Sequence, residues 1–210
     1  MTKPPTSTGL HIAARLSTDT GSQPNQNPAC ENTSRIWSVH DYRVAAILFA
    51  DVAGYARMMS LDESGTHSQY KAHRRELIDL KIAEHGGRIV KSTGDGLLAV
   101  FKRAHEAVLC AIQVQQGMSE RNRVEPLYRR IMFRIGINYG KIIVEPDDVY
   151  GTEVNVAARL QSIAPAGGIA MSAAIAQIVG GVVKLDLEDF GLRRFKNMTR
   201  AVHVFRYSAC

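Results

Sequence analysis

Two aspartates in this chain stand where carboxylates can do chemistry. Asp51 follows the apolar run VAAILFA of residues 44–50, and Asp95 sits inside Gly94-Asp95-Gly96. Adjacent carboxylates repel unless a cation neutralises them. A divalent ion is the economical partner, because Mg²⁺ commonly takes one or two carboxylates together with phosphate oxygens. A pair of such ions can activate an attacking oxygen while a leaving phosphate is stabilised. Taken singly, each aspartate reads as a turn residue. Their joint chemistry depends on whether the fold closes the 44 positions between them.

The elements that must position them follow from the residue pattern. Residues 44–50 read as a strand buried on both faces. A long helix is expected over 62–84, closed by Gly86-Gly87. Residues 88–93 and 97–101 read as strands joined by a tight hairpin at 94–96, where Asp-Gly supplies the positive φ. An amphipathic helix follows over 104–118, with Ala107, Val108, Ala111, Ile112 and Gln115 at helical spacing, and then a strand over 131–138. This β-α-β-β-α-β order is the split, ferredoxin-like unit. Its first and third strands are antiparallel neighbours, so the end of one lies beside the start of the other. Asp51 and Asp95 occupy those ends. Further strands are expected over 141–145, 168–172, 182–187 and 202–207, with helices over 152–163 and from Ala173. The fold class is α+β: a ferredoxin-like βαββαβ core with a C-terminal strand and helix extension.

Composition narrows the partners. The 210 residues fit an N-terminal tail over 1–40, rich in Pro, Ser, Thr, Asn and Gln, and one domain over 41–210. Hydrophobic residues at 45% and charged residues at 22% exclude fibrous, disordered and membrane classes. A net charge of +6 raises nucleic acid, an anionic membrane or a phosphorylated small molecule. No dense basic run marks the first two, so neither nucleic acid nor membrane is expected. Cys30, Cys110 and Cys210 lack metal-ligand spacing and fit reduced thiols in a cytoplasmic protein. Residues 1–40 hold no signal-peptide core. The apolar segment 166–183 is broken by Ser172, Gln177 and four glycines, which suits a strand and short helix better than a membrane span.

From residue 43 to residue 207 the chain resembles the class III nucleotidyl cyclase catalytic domain, most closely the soluble bacterial adenylate cyclases. LFADVAGYARMM (48–59) and GRIVKSTGDGLLAVF (87–101) resemble the two metal-aspartate motifs of that family. FRIGINYG (133–140) resembles its central strand and DVYGTEVNVAARLQ (148–161) its transition-state motif. LRRFKNMTRAVHVFRY (192–207) resembles its closing strands.

The resemblance implies roles residue by residue. Asp51 and Asp95 would bind two Mg²⁺ (or Mn²⁺) ions per active site. Lys91 and Asp148 match the base-selecting pair, a donor and an acceptor complementary to adenine N1 and N6. Guanylate cyclases typically carry Glu and Cys there, so ATP is the expected substrate. Asn155 would position the ribose and Arg159 would stabilise charge on the α-phosphate. Their i, i+4 spacing puts both on one face of a helix, and the planar, permanently charged guanidinium suits phosphate. Lys196 matches a lysine for the terminal phosphates, with Lys141 a weaker candidate. The implied reaction is attack of the ribose 3′-hydroxyl on the α-phosphate, giving 3′,5′-cyclic AMP and pyrophosphate for second-messenger signalling. It implies a homodimer with sites shared between subunits. Thr152 and Glu153 depart from the family pattern after Gly151; Thr152 is expected to cap the following helix. The alternatives are a guanylate cyclase and a catalytically silent cyclase-like dimerisation module. A diguanylate cyclase would show a GGDEF-type hairpin, and an RNA-binding module would carry more aromatic residues on its central strands.

Overall fold

The computed structural model describes residues 41–208. The expected tail over 1–40 lies outside the described residues, as do Cys30 and Cys210. The elements are β1 (Asp41–Val52), α1 (Tyr55–Leu61), α2 (Glu63–His73), α3 (Asp79–Glu84), β2 (Arg88–Thr93), β3 (Gly96–Phe101) and α4 (Ala104–Asn122). They continue with β4 (Phe133–Val144), β5 (Val149–Tyr150), α5 (Thr152–Ile163), β6 (Gly168–Ser172), α6 (Ala173–Gly180), β7 (Glu188–Arg193) and β8 (Val202–Ser208). One sheet runs in the order β2-β3-β1-β4-β6-β8-β7, with β5 paired to β4. Its first four strands have the ferredoxin-like order, with β1 antiparallel to both β3 and β4.

The apolar run of β1 is continuous because both faces of the strand are covered. Ala46, Leu48, Ala50 and Val52 join the core under the long helices. Ala45 and Ile47 turn to the other face, against Leu98 and the α5 residues Val154 and Ala157. The period-2 alternation of a strand sends its neighbours to opposite faces. The second face is only partly covered: Phe49, Val90, Val100 and Val144 remain partly exposed around that cluster.

Four sequence expectations are corrected. The strands expected at 131–138 and 141–145 are one strand, β4, because Tyr139 and Gly140 stay paired with Ala46 and Ala45. The helix expected over 62–84 does begin with Asp62, whose carboxylate accepts from Gly65 N at 2.8 Å. It is interrupted by a π-helical turn, Arg74–Ile78, before α3. The strand expected at 182–187 is irregular. There the N–H groups of Val182 and Val183 fold back onto Val179 O at 2.9 and 2.8 Å, and close α6. The edge strand is instead the polar segment β7, bulged between Asp189 and Gly191. Finally, the positive φ of the β2–β3 hairpin belongs to Gly94 (66°), not to the Asp-Gly step. Thr93 pairs with Gly96 across a two-residue loop, so glycine stands at the first central position of a II′-type turn. No helix among the described residues is long and apolar enough to cross a membrane.

Gly136 of β4 lets α5 settle on the sheet. A Cβ there would meet the backbone of Ala157 and Gln161, which cannot yield as a side chain can. Gly136→Ala is therefore expected to cost about 2 kcal/mol or more in denaturant unfolding. Gly180→Ala, where an added Cβ meets nothing within 4 Å, serves as the neutral control.

Candidate functional site

Asp51 stands at the end of β1, paired with Arg134 across the β1–β4 ladder. Its Oδ2 accepts from Arg134 Nη2 at 3.0 Å and from Gln161 Nε2, reaching down from α5, at 3.4 Å. Asp95 is the second central residue of the β2–β3 turn. Because Ala50 pairs with Leu97, that turn reaches Asp51, and the two carboxyls are near enough to interact. Gly96 lets the turn pack closely on β1: a Cβ there would lie 2.9 Å from Thr93 Oγ1 and 3.0 Å from Ala50 O. Burial, then the Asp51 carboxyl, push the Asp95 carboxyl up to about 6, against the pull of Arg134.

The hairpin bearing Asp95 is anchored from behind. The π-turn places Arg74 so that its Nε donates to Asp79 at 2.7 Å. Its Nη1 donates to Tyr70 Oη at 3.1 Å and to Ser92 Oγ at 3.2 Å. An extra residue in a helical turn re-aims side chains, and such π-turns recur at functional sites. Tyr70 meets Tyr55 edge to face with ring centroids 5.8 Å apart. Burial and then the Asp95 charge raise the Tyr55 hydroxyl pKa.

The donor set suits a divalent ion. Among the described residues no group of three or more His, Cys, Asp or Glu could hold a metal. Two neighbouring carboxylates, with Arg134 the one cation paired to them among the described residues, suit Mg²⁺ or Mn²⁺, which completes its shell with waters and phosphate oxygens.

Lys91 and Asp148, 57 residues apart, are joined at 2.6 Å. The Lys91 side chain lies beside Leu98 on the partly covered sheet face, after a register shift at Ile89/Lys91. Asp148 is fixed in the β4–β5 turn, where its Oδ1 accepts from Val149 N at 2.8 Å. The Lys91 ammonium holds the Asp148 carboxyl below its ordinary range.

Asn155 and Arg159 share one exposed face of α5, and neither side chain has a partner among the described residues. Ala157 and Gln161 lie about 200° around the helix from them at 3.6 residues per turn. Ala157 is fully buried against the sheet and Gln161 touches Asp51. Asn155 and Arg159 therefore face away from the Asp51 of their own chain. The helix cap is Gly151 (φ 139°), so Thr152 is the first helical residue and not the cap. Glu153 accepts from Asn138 Nδ2 at 2.7 Å.

Lys196 is exposed at the tip of the turn closed by Met198 N to Phe195 O at 3.2 Å. Asn197 supplies the positive φ of 64°. It touches none of the other site residues. Lys141 stacks over Tyr42 at 4.1 Å. It lies seven residues along β4 from Arg134, about 23 Å at strand rise, and cannot serve Asp51 of its own chain. Arg134, Gln161 and Arg74 were not singled out by sequence reasoning. A lone arginine opening the apolar strand FRIGI was the available signal for Arg134, since a charge there needs a partner.

Comparison with known proteins places the fold in a family. The model of the adenylate and guanylate cyclase catalytic domain matches residues 38–198. A putative adenylate cyclase 3 of Rhizobium meliloti (strain 1021) is 43% identical over 166 residues, 79% of this chain and 28% of that protein. An adenylate cyclase of Streptomyces coelicolor is 32% identical over 136 residues, 64% of this chain and 34% of that protein. The chain thus spans about a third or less of the length of these curated relatives. Among solved structures, an adenylate/guanylate cyclase/hydrolase from Silicibacter pomeroyi matches with TM-score 0.78 at 45% identity, over 81% of this chain and 99% of that one. The adenylyl cyclase CyaB from P. aeruginosa shares the fold with TM-score 0.71 at 23% identity, over 80% and 95%.

The carboxylate contact has a measurable cost in metal-free protein. A folded-state pKa raised from 3.8 to about 6 penalises the fold above that value, and the penalty vanishes below the unfolded value. With chelator present, Asp95→Asn is expected to stabilise the protein by roughly 1 kcal/mol near pH 8, allowing for solvent screening. Near pH 3.5 the two proteins should unfold alike. A variant less stable than wild type at pH 8 contradicts the repulsion.

Proposed function

The chain belongs to the adenylate and guanylate cyclase catalytic domain family, and on that premise we propose that it is an adenylate cyclase acting as a homodimer with shared sites. The substrate is ATP, and the products are 3′,5′-cyclic AMP and pyrophosphate. The observation that carries the reading is the orientation of α5. Asn155 and Arg159 point away from the carboxylates of their own chain, so a nucleotide that meets both sets must lie between two copies. The partly covered sheet face around Phe49, Val90 and Val100 provides apolar area for such a partner.

In this reading Asp51 and Asp95 of one copy hold Mg²⁺ or Mn²⁺. Such ions lower the pKa of the ribose 3′-hydroxyl and offset the charge of the triphosphate. Asp51 accepts the hydroxyl proton. Asn155 of the second copy fixes the ribose, and Arg159 neutralises charge growing on the α-phosphate. Lys91 donates to adenine N1 while Asp148 accepts from N6, their 2.6 Å contact keeping donor and acceptor side by side. Lys196 takes the terminal phosphates. Catalysis is then positioning and charge stabilisation, with no covalent intermediate.

Complementation tests the shared site. Asp51→Ala and Arg159→Ala should each lose roughly 10²-fold or more of the activity. Mixed in equal amounts, they should recover about a quarter of the wild-type rate, because half the dimers are mixed and each holds one intact site. An inactive mixture, with subunit exchange shown by mass, overturns the reading.

Base choice is tested separately. Lys91→Met should lower the ATP-to-GTP preference by about tenfold or more, since a buried polar edge loses its partner. Wild-type protein that prefers GTP would make it a guanylate cyclase.

A further inference from the structure

One largely buried guanidinium ties three elements together behind the Asp95 hairpin. Arg74, its side chain 12% exposed, opens the π-helical turn between α2 and α3. Its Nε donates to Asp79 Oδ1 at 2.7 Å. Its Nη1 donates to Tyr70 Oη at 3.1 Å and to Ser92 Oγ at 3.2 Å. Among the described residues it bonds to neither Asp51 nor Asp95. The wide turn closes this set. Asp79 N–H bonds back to Arg74 O, five residues away. In a regular α-helix Asp79 would stand about 140° round from Arg74. The π-turn brings it to the guanidinium, while Tyr70, four residues back, already shares the face.

Two of these partners lead to the two carboxylates. Ser92 belongs to β2, the edge strand of the sheet. It pairs with Leu97, and Leu97 pairs with Ala50. Asp95 lies on the turn just beyond that row, and Asp51 follows Ala50. An edge strand has a ladder on one side only, and β2 shifts register between Ile89 and Lys91. The Arg74–Ser92 bond adds a tie outside the ladder. Tyr70 leads to the other carboxylate. Its ring, 3% exposed, packs edge to face on Tyr55 at 5.8 Å and lies 6.4 Å from Phe133. Tyr55 opens the helix that follows Asp51. Phe133 precedes Arg134, which donates to Asp51 at 3.0 Å.

We infer that Arg74 is a positioning residue for the carboxylate pair: it fixes the hairpin against β1 and thereby sets the affinity of Asp51 and Asp95 for a divalent cation. Mg²⁺ demands near-ideal octahedral geometry, so a small drift of Asp95 from Asp51 costs affinity. Residues that orient metal ligands change metal affinity roughly 10–100-fold when removed. Arginine suits the task because its planar fork serves several acceptors at fixed angles and stays charged. Here the acceptors are one carboxylate and two hydroxyls. The inference rests on the proposed reading of the pair as a cation site, and on neither the nucleotide nor the dimer.

Mn²⁺ binding to the full chain, without nucleotide, is the test, read from the electron paramagnetic resonance signal of the free ion. The binding that counts is the part lost in Asp95→Asn. Arg74→Met should weaken it about tenfold, and Ser92→Ala about threefold. The double variant should bind as Arg74→Met does, because Ser92 acts through Arg74. Val179→Ala opens a cavity on the fully buried side of α6 and is destabilised as well. It should keep the wild-type affinity within about twofold. Wild-type affinity in both Arg74→Met and Ser92→Ala, full additivity in the double variant, or an equal loss in Val179→Ala overturns the inference. So does wild-type protein without Asp95-dependent binding. Should Arg74→Met fail to fold, Ser92→Ala decides, since Ser92 is exposed. If the losses appear while wild-type protein makes no cyclic nucleotide, the positioning role stands and the cyclase reading falls.

Discussion

Antiparallel pairing of β1 with β3 forces two carboxylates into contact, and much of the molecule serves that contact. The pairing of Ala50 with Leu97 leaves the chain no freedom to separate Asp51 from Asp95. Glycine appears where a Cβ would crowd Thr93 and Ala50, at Gly96, and where the turn needs a positive φ, at Gly94. Arg134 and Gln161 hold one carboxylate from two different elements. Arg74 holds the other hairpin from a π-turn. Confining like charges in this way carries a cost, visible in the raised Asp95 pKa, that a bound cation would offset.

α5 is the second constraint. Its buried side must fit over Gly136, and that fit settles which residues face outward. Ala157 and Gln161 take the inner side, so Asn155 and Arg159 are left on the outer one. On the proposed reading, the orientation that separates the two halves within one chain is what joins them between two chains.

Much of this was legible in the residues. The run VAAILFA, the glycine-flanked Asp95 and the β-α-β-β-α-β order together placed Asp51 beside Asp95. The bounds of α5 and β6 also match their residue patterns, because both are closed by strong signals, Gly151 and Gly167-Gly168. What stayed hidden depends on register and on helix irregularity. Gln161 reaches Asp51 only through the seating of α5 on Gly136, which no local pattern displays. Arg74 is aimed by a π-turn inside an otherwise regular helical sequence. β7 escaped because it is a polar, bulged edge strand, while the Val-rich segment before it looked more strand-like and instead closes a helix. The Lys91–Asp148 pair was carried over from the family resemblance; its 2.6 Å contact depends on the bulge in β2 and the short β4–β5 turn.

The most direct measurement is specific activity against protein concentration, with the oligomeric state followed by sedimentation at each point. Sites built between copies require specific activity to fall in step with the dimer fraction on dilution, and to vanish where only monomers remain. Constant specific activity in solutions that contain only monomers would contradict the shared site.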